Sequence, residues 1–309
     1  CGSGPLTGRY FPPIVGFLHF IRPGTTKLPL FVSLPVLGGV RRTWFDVALY
    51  VALVVCVVRA LVAPAIDAAM LLPIVVLVPL LGLCDRTIFL ALRAEHYWTT
   101  IIVLVFAGDF VAGAKAVQLA LWFWAGFSKL NHHFPAVVCV MTSNSPFTRS
   151  ARLRKLMYRD FPSDLRPSRL AEVMAHMGTA LELAVPIILC FADGGAMLVV
   201  GIVLALVLHA FITSNVPMGV PLEWNVMVVY GTFALFWAHP EVSALSVSPP
   251  LLAVFLVFML IGLPLFGNVF PSRLSFLVSM RYYAGNWPYG VWLFRGDAYR
   301  KLERLTKSA

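Results

Sequence analysis

The chain has 309 residues, of which 60% are apolar and 12% are charged, and it carries a net charge of +10. Soluble domains contain about 25% charged residues, so this composition and a mean hydropathy of +0.84 exclude an ordinary soluble protein. The basic residues cluster between hydrophobic stretches, where membrane topology accounts for them, and we therefore expect no nucleic-acid partner. We predict an all-α, polytopic bundle of transmembrane helices.

No linker or low-complexity segment divides the chain, so we predict a single transmembrane domain over residues 1–309. Within it, we expect an interfacial segment at 1–43, a helix bundle at 44–270 and a basic interfacial tail at 271–309. The sequence opens on Cys1 rather than methionine, and we expect it to be a fragment of a longer chain. The other four cysteines follow no C-x-x-C spacing, which favours buried thiols over a disulfide or a metal site.

The first 43 residues contain six prolines and five basic residues but no acidic residue. This composition predicts a proline-rich segment at the membrane interface rather than a crossing. Hydrophobic stretches near the roughly 20 residues needed for a crossing then follow at about 47–64, 66–84, 171–191, 197–212, 222–238 and 251–270. Charged residues interrupt the region 85–129, which holds either one long crossing or two short ones, so we expect seven or eight crossings in all.

The distribution of basic residues indicates the orientation. The loop 149–169 carries seven basic residues against two acidic ones, and basic residues again outnumber acidic ones in the tail after Arg281. The positive-inside rule places both regions on one side, and the basic N-terminal segment joins them only if 85–129 crosses twice, which favours eight crossings. We interpret 295–307 as a basic interfacial helix near anionic lipid, and we expect the protein in the plasma membrane, surrounded by membrane lipids and open to membrane-protein partners.

One predicted helix carries a polar stripe along its whole depth. Lys115, Gln118, Trp122, Gly126 and Lys129 fall within an arc of about 80° on a helix. Because lipid offers no hydrogen-bond partner, such a stripe faces the bundle interior or a water-filled cavity. We take Lys115, Gln118 and Trp122 as candidates for cofactor binding, and Lys129 as either a candidate catalytic base or a lysine that snorkels to the interface.

Asn131, His132 and His133 follow this helix directly. Adjacent side chains on a helix diverge by about 100°, so the histidine pair makes a poor chelate. The other five histidines are scattered singly along the sequence, and we therefore predict no metal site. Asn131 and His132 remain candidates for cofactor binding.

Two further residues are candidate catalytic groups. Glu182 lies deep in apolar sequence, where an unpaired carboxylate is protonated or matched to a base, and Lys129 is an attractive partner. The alternative is an interhelical hydrogen bond that only orders the bundle. His209 precedes a proline- and glycine-containing break at 216–221, which either lines a cavity or forms an ordinary turn.

Residues 125–130 read Ala-Gly-Phe-Ser-Lys-Leu at the end of a predicted helix, and Glu-Leu-Ala-Val-Pro follows about fifty residues later. This pattern resembles the vitamin-K-dependent gamma-carboxylase-like superfamily, also called the horizontally transferred transmembrane domain, which has an Ala-Gly-x-x-Lys-Leu signature. The resemblance implies that Lys129 is the base that deprotonates a reduced quinone cofactor. A lysine desolvated among aromatic side chains suits that role, because desolvation favours the neutral amine.

Three longer motifs support a second resemblance. They read RYFPPIVGFLHFIRPGTTKLP, SKLNHHFPAVVCVMTSNSP and ITSNVPMGVPLEWN. They are similar to an uncharacterised family of multi-pass membrane proteins from mycobacteria and related actinobacteria. This resemblance covers most of the chain. It implies a location in the membrane but assigns no reaction to the protein.

The sequence leaves three functional hypotheses open. The first is a quinone- or lipid-dependent membrane enzyme that uses Lys129 as base, with Glu182 and His209 in its pocket and a hydrophobic cosubstrate that enters from the bilayer. The second is a lipid-handling or transport component in which the polar stripe lines a conduit. The third is a structural subunit of a membrane complex.

Overall fold

The computed structural model describes most of the predicted bundle. The described residues are 19–215, 222–281, 296–297 and 300–301. The predicted break at 216–221 lies outside them, as do most of the predicted tail helix at 295–307 and the first 18 residues of the interfacial segment.

The described part is mostly helical, which confirms the predicted all-α class. In chain order its helices are α1 Trp44–Val62, α2 Ala68–Cys84, α3 Arg86–Ala91, α4 Tyr97–Phe106, α5 Phe110–Ser128, α6 Phe134–Asn144, α7 Ala151–Leu156, α8 Arg169–Phe191, α9 Gly195–Thr213, α10 Leu222–Gly231, α11 Pro250–Val257 and α12 Leu263–Val269. Two π-helical turns continue α10 and join α11 to α12, namely π1 Thr232–Trp237 and π2 Phe258–Gly262. A short antiparallel hairpin, β1 Tyr158–Asp160 and β2 Asp164–Pro167, lies in the basic loop.

Five helices are long and apolar enough to cross a membrane: α1, α5, α8, α9 and the continuous helix Pro250–Val269. Three shorter apolar helices, α2, α4 and α6, accompany them. The protein is therefore a polytopic membrane protein. The prediction of eight crossings further requires that α2, the α3–α4 pair and the α10–π1 pair each cross the bilayer.

Short polar side chains fix where these helices begin. Thr43 and Asp46 form a capping box at the start of α1, in which each side chain bonds the backbone N–H of the other. Asp67, Asp109 and Ser168 accept hydrogen bonds from the first turns of α2, α5 and α8. Each cap satisfies N–H groups that have no partner within the helix.

The ambiguous region 85–129 contains a broken helix pair followed by one long helix. α4 and α5 pack together and are joined by only three residues, which makes them antiparallel neighbours. The indole Nε1 of Trp98, at the start of α4, donates to the carbonyl of Val75 in the middle of α2 at 3.0 Å. The start of α4 therefore packs against the middle of α2, and the expectation that 85–129 crosses the bilayer twice stays a prediction.

α5 is the central helix of the bundle. In its 18-residue apolar stretch, 72% of the residues are buried inside the protein, against 22–33% in the corresponding stretches of the other four long helices. α5 packs along α8, and α8 packs in turn against α9. Apolar residues on the outer faces of the surrounding helices are exposed, as a lipid environment requires.

The described part of the N-terminal segment, residues 19–43, folds over the ends of α1 and α2. Lys27 pairs with Asp46 at 2.7 Å, and Arg42 pairs with Asp85 at 2.7 Å. All four side chains are at most 1% exposed. The segment therefore forms a cap with buried ion pairs.

Candidate functional site

Lys129 lies at the end of α5 and forms an ion pair with Glu182 in the middle of α8. The carboxylate is 5% exposed, whereas the lysine side chain is 20% exposed. The Lys129 Nζ also lies 5.7 Å from the centre of the Phe134 ring, at the start of α6. The pairing expected from the sequence is present, and it places a partly accessible amine beside a buried acid.

Gly126 explains why α5 and α8 approach each other at this point. A Cβ atom at position 126 would lie 2.9 Å from Cδ2 and 3.0 Å from Cγ of Leu183, the neighbour of Glu182. These separations are shorter than normal carbon–carbon contacts, so a larger residue would push α8 away. Gly126 therefore allows α5 and α8 to approach closely beside the Lys129–Glu182 pair.

His209 links α9 to two other helices through both ring nitrogens. Trp122 Nε1 of α5 donates to His209 Nε2 at 2.8 Å, and His209 Nδ1 lies 2.8 Å from Asn225 Oδ1 of α10. An indole N–H can only donate, so Nε2 is the acceptor and Nδ1 carries the proton that Asn225 accepts. This geometry makes His209 a neutral, fixed connection between helices.

The other stripe residues face the bundle interior, as the sequence predicts. Gln118 Nε2 donates to the carbonyl of Val228 at 2.9 Å. Lys115 Nζ donates to the carbonyls of His239 and Val242 at 2.7 and 2.6 Å, beyond the end of π1. The polar ends of these side chains brace the α10–π1 segment, and the structure gives them protein partners rather than an open cofactor pocket.

Asn131 and His132 lie in the connection between α5 and α6. Asn131 Oδ1 accepts from the N–H groups of His133 and Phe134, and its Nδ2 donates to the Ser128 carbonyl. Asn131 thus joins the end of α5 to the start of α6, while His132 is exposed. Among the residues that the structure describes, no three His, Cys, Asp or Glu side chains are grouped so as to hold a metal ion.

An apolar groove, which the sequence did not indicate, lies between α5, α8 and the α11–π2 helix. It has a volume of about 500 Å³. Its lining includes Ala116, Ala120, Phe123, Trp124, Pro186 and Leu260. Trp124 Nε1 closes its wall by donating to the Leu260 carbonyl at 2.8 Å. Pro186 lies one helical turn from Glu182 on α8, but neither Glu182 nor Lys129 lines the groove.

Comparisons with known proteins place the chain in a family. A search of curated proteins and a search of solved structures found no match. One family model matches residues 1–309, and that family is described as transmembrane proteins of unknown function. The described helices agree with this description, since five of them are long and apolar enough to cross a membrane. The chain therefore belongs to the DUF3556 family of transmembrane proteins of unknown function.

Proposed function

We propose that this protein is a membrane enzyme of gamma-carboxylase-like type, located in the plasma membrane, in which Lys129 is the general base. Its cosubstrate is a hydrophobic molecule, a reduced quinone by resemblance, that binds in the apolar groove. The observation that carries this proposal is the partly exposed Lys129–Glu182 pair, whose acid lies one helical turn from Pro186 in the groove lining. An actinobacterial source, implied by the longer motifs, is compatible with a quinone-containing membrane.

The ion pair supplies a route for the proton. In a low-dielectric site, transfer of one proton from the Lys129 ammonium to the Glu182 carboxylate removes both charges and frees the amine. The Lys129 amine would then accept a proton from the hydroxyl group of a bound reduced quinone. Glu182 retains the first proton until the reaction ends, so the atoms and charges balance.

The groove has the size and character of a site for a hydrophobic ligand. Small-molecule sites have volumes of about 300–1,000 Å³ and are mostly apolar, and the groove volume of about 500 Å³ falls in this range. Phe191, Leu245 and Val257 line the groove and are also more than half exposed on the protein surface. A ligand with a prenyl or acyl chain can therefore enter laterally from the bilayer.

In this proposal His209 has a positioning role. Both of its ring nitrogens are bonded, to Trp122 and to Asn225, so it has no nitrogen left for a substrate proton. It holds Trp122 on the face of α5 that leads to Lys129. Loss of His209 should therefore lower turnover through altered geometry, and substrate analogues should still bind.

The test compares wild type with Lys129→Arg and Lys129→Met in native mass spectrometry and in an assay of oxygen-dependent quinol turnover. Arginine keeps the positive charge, but its guanidinium does not deprotonate in proteins. We expect Lys129→Arg to retain a bound quinone and to lose at least 100-fold in turnover, the order expected for a missing general base. Lys155→Met, a substitution of an exposed lysine on α7, is the matched control and should behave as wild type.

Two outcomes of this test decide the assignment. Turnover restored by aminoethylation of a Lys129→Cys variant would support the amine as base. Wild-type turnover in Lys129→Arg would exclude it.

A groove-filling variant tests the ligand site separately. Ala120 lines the groove on α5, and Ala120→Phe should displace the bound quinone. Val207→Phe enlarges an exposed apolar side chain on α9 and should leave binding unchanged. Equal quinone occupancy in both variants would contradict a quinone site in the groove.

The groove also favours a second candidate function, that of a lipid-handling component. Retention of a phospholipid or glycolipid in place of a quinone would support it. A conduit along the polar stripe is less well supported, because Lys115 and Gln118 bond to backbone carbonyls of the α10–π1 region and of the residues after it. A protein that retains no ligand would instead favour a structural subunit with membrane-protein partners.

A further inference from the structure

The connection between α3 and α4 buries three ionisable side chains. Arg93 is 1% exposed, Glu95 is 2% exposed and His96 is fully buried. In the sequence these residues look only like an interruption of an apolar stretch. Their burial inside the bundle is unexpected, because moving an ionised group out of water costs several kcal/mol unless it is paired.

The geometry around Glu95 is balanced between two partners. Its Oε1 atom lies 3.6 Å from Arg93 Nη1 and 3.6 Å from His96 Nδ1. Both separations are too long for a hydrogen bond. Within the described structure, neither carboxyl oxygen of Glu95 and neither ring nitrogen of His96 has a hydrogen-bond partner. A movement of less than about 1 Å would give the carboxyl group a hydrogen bond to either neighbour.

α10 supplies the other wall of this cluster. The Arg93 guanidinium lies 3.8 Å from the centre of the Trp224 ring, and the His96 ring meets the same indole edge-on at 5.1 Å. Glu223 precedes Trp224 and acts electrostatically on Tyr97. Among the described residues, the titratable groups beside Glu95 are therefore Arg93, His96 and Tyr97 from its own segment, and Glu223 of α10 lies near Tyr97.

We infer that Glu95 is an intramembrane proton-binding site. When ionised, its carboxylate pairs with Arg93; when it takes up one proton, the carboxylic acid donates a hydrogen bond to Nδ1 of neutral His96. The proton comes from water and forms an O–H bond on Glu95, so no other reactant is needed. This site is separate from the Lys129–Glu182 pair and does not rest on the proposed enzyme activity.

The backbone at this point suits such a site. α3 ends at Ala91 and α4 begins at Tyr97, and irregular backbone at membrane depth is tolerated where it lines a site or a cavity. Arg93 has a φ of 52°, in the left-handed region that costs a residue with a side chain about 1 kcal/mol or more. Ionisable residues within transmembrane bundles mark ion pathways and proton relays, and here the strained turn directs three of them into one cluster.

Infrared difference spectroscopy of the full chain in lipid vesicles tests this inference. Spectra are compared between about pH 5 and about pH 9, a range that spans perturbed carboxyl and imidazole groups. In wild type we expect an acid-induced C=O band from a buried protonated carboxyl group. Glu95→Gln should lose one carboxyl equivalent of this band, whereas the control Glu241→Gln, at a carboxylate that is 69% exposed, should keep it.

A second measurement keeps the inference testable if Glu95→Gln does not fold. His96→Ala removes the acceptor, so the C=O band should remain but shift to higher frequency as the hydrogen bond is lost. An acid-induced band that is identical in wild type, Glu95→Gln and His96→Ala would overturn the proposal. A band that disappears in Glu182→Gln and persists in Glu95→Gln would also overturn it, because it would assign the proton to the other site.

Discussion

Two lysine–carboxylate ion pairs in this protein have different surroundings. Both carboxylate oxygens of Asp46 accept hydrogen bonds from Lys27 Nζ, at 2.7 and 2.8 Å, and Oδ2 also accepts from the N–H and the hydroxyl of Thr43. The Lys27 and Asp46 side chains are both enclosed. Lys129 pairs with Glu182 while its side chain remains 20% exposed. The enclosed pair has the surroundings of a structural contact, and the accessible pair is the one for which we propose a role in proton transfer.

The largest effect should come from the enclosed pair. Lys27→Met leaves the Asp46 carboxylate buried without its cation, and loss of one partner of a buried pair costs about 3–5 kcal/mol. We expect that loss in the free energy of unfolding, measured by denaturant unfolding in mixed micelles. Lys27→Met combined with Asp46→Leu should lose less than the single variant, and an equal or greater loss would contradict the assignment.

Gly126→Ala should have the next largest effect. The added Cβ would contact Leu183 at about 3 Å and force α8 away from α5, and such overpacking costs about 1–3 kcal/mol. The accompanying increase in the Lys129–Glu182 separation should also reduce quinone turnover. Gly178→Ala on α8 is the control, because nothing lies within 4 Å of its added Cβ, and it should be neutral or slightly stabilising.

The accessible pair should contribute less to stability than the enclosed one. Because Lys129 is partly exposed, Lys129→Met should cost about 1–2 kcal/mol, below the range for a fully buried pair. Lys129→Arg should change the unfolding free energy by less than about 1 kcal/mol because it keeps the charge. A cost for Lys129→Met equal to that for Lys27→Met would remove the distinction between the two pairs.

The smallest effect should come from a surface pair in the basic loop. Arg166 donates hydrogen bonds to Asp164 and lowers the pKa of that carboxyl to about 2. The associated stability is present above the ordinary Asp pKa of about 3.9 and is lost as the pH falls through about 2. Arg166→Gln should raise the Asp164 pKa toward its ordinary value in a carbon-13 titration, with no measurable change in melting temperature.

The sequence predicted much of the fold because bilayer constraints act locally along the chain. The lengths of the apolar stretches indicated the membrane spans. The 3.6-residue period of an α-helix correctly predicted that Lys115, Gln118 and Trp122 face the bundle interior. The pairing of Lys129 with Glu182 followed from the rule that a buried charge needs a partner. No periodicity could show the groove, because its lining combines residues from three helices and a connecting loop.

The basic residues of the N-terminal segment show a second limit. From the sequence we attributed these basic residues to membrane topology, yet Lys27 and Arg42 are buried in ion pairs. Their partners lie 19 and 43 residues further along the chain, at Asp46 and Asp85. Positive-inside counting treats such charges as exposed, and only the folded arrangement distinguishes a topological signal from a structural one.

Two tryptophan side chains donate hydrogen bonds to backbone carbonyls of neighbouring helices, and each of these carbonyls lies four residues before a proline. Proline has no N–H, so it cannot bond the carbonyl four residues before it. Pro79 frees the Val75 carbonyl in this way, and Pro264 frees that of Leu260. These are the two carbonyls to which the indoles of Trp98 and Trp124 donate.

Each proline thus creates an acceptor in one helix that an indole from another helix occupies. The identities at positions 79 and 98, and at 264 and 124, are therefore coupled across the bundle. Replacing only the tryptophan leaves a buried carbonyl without a donor, whereas replacing the proline as well restores the helical bond. A DUF3556 chain without proline at position 79 or 264 would no longer require a side-chain N–H at position 98 or 124.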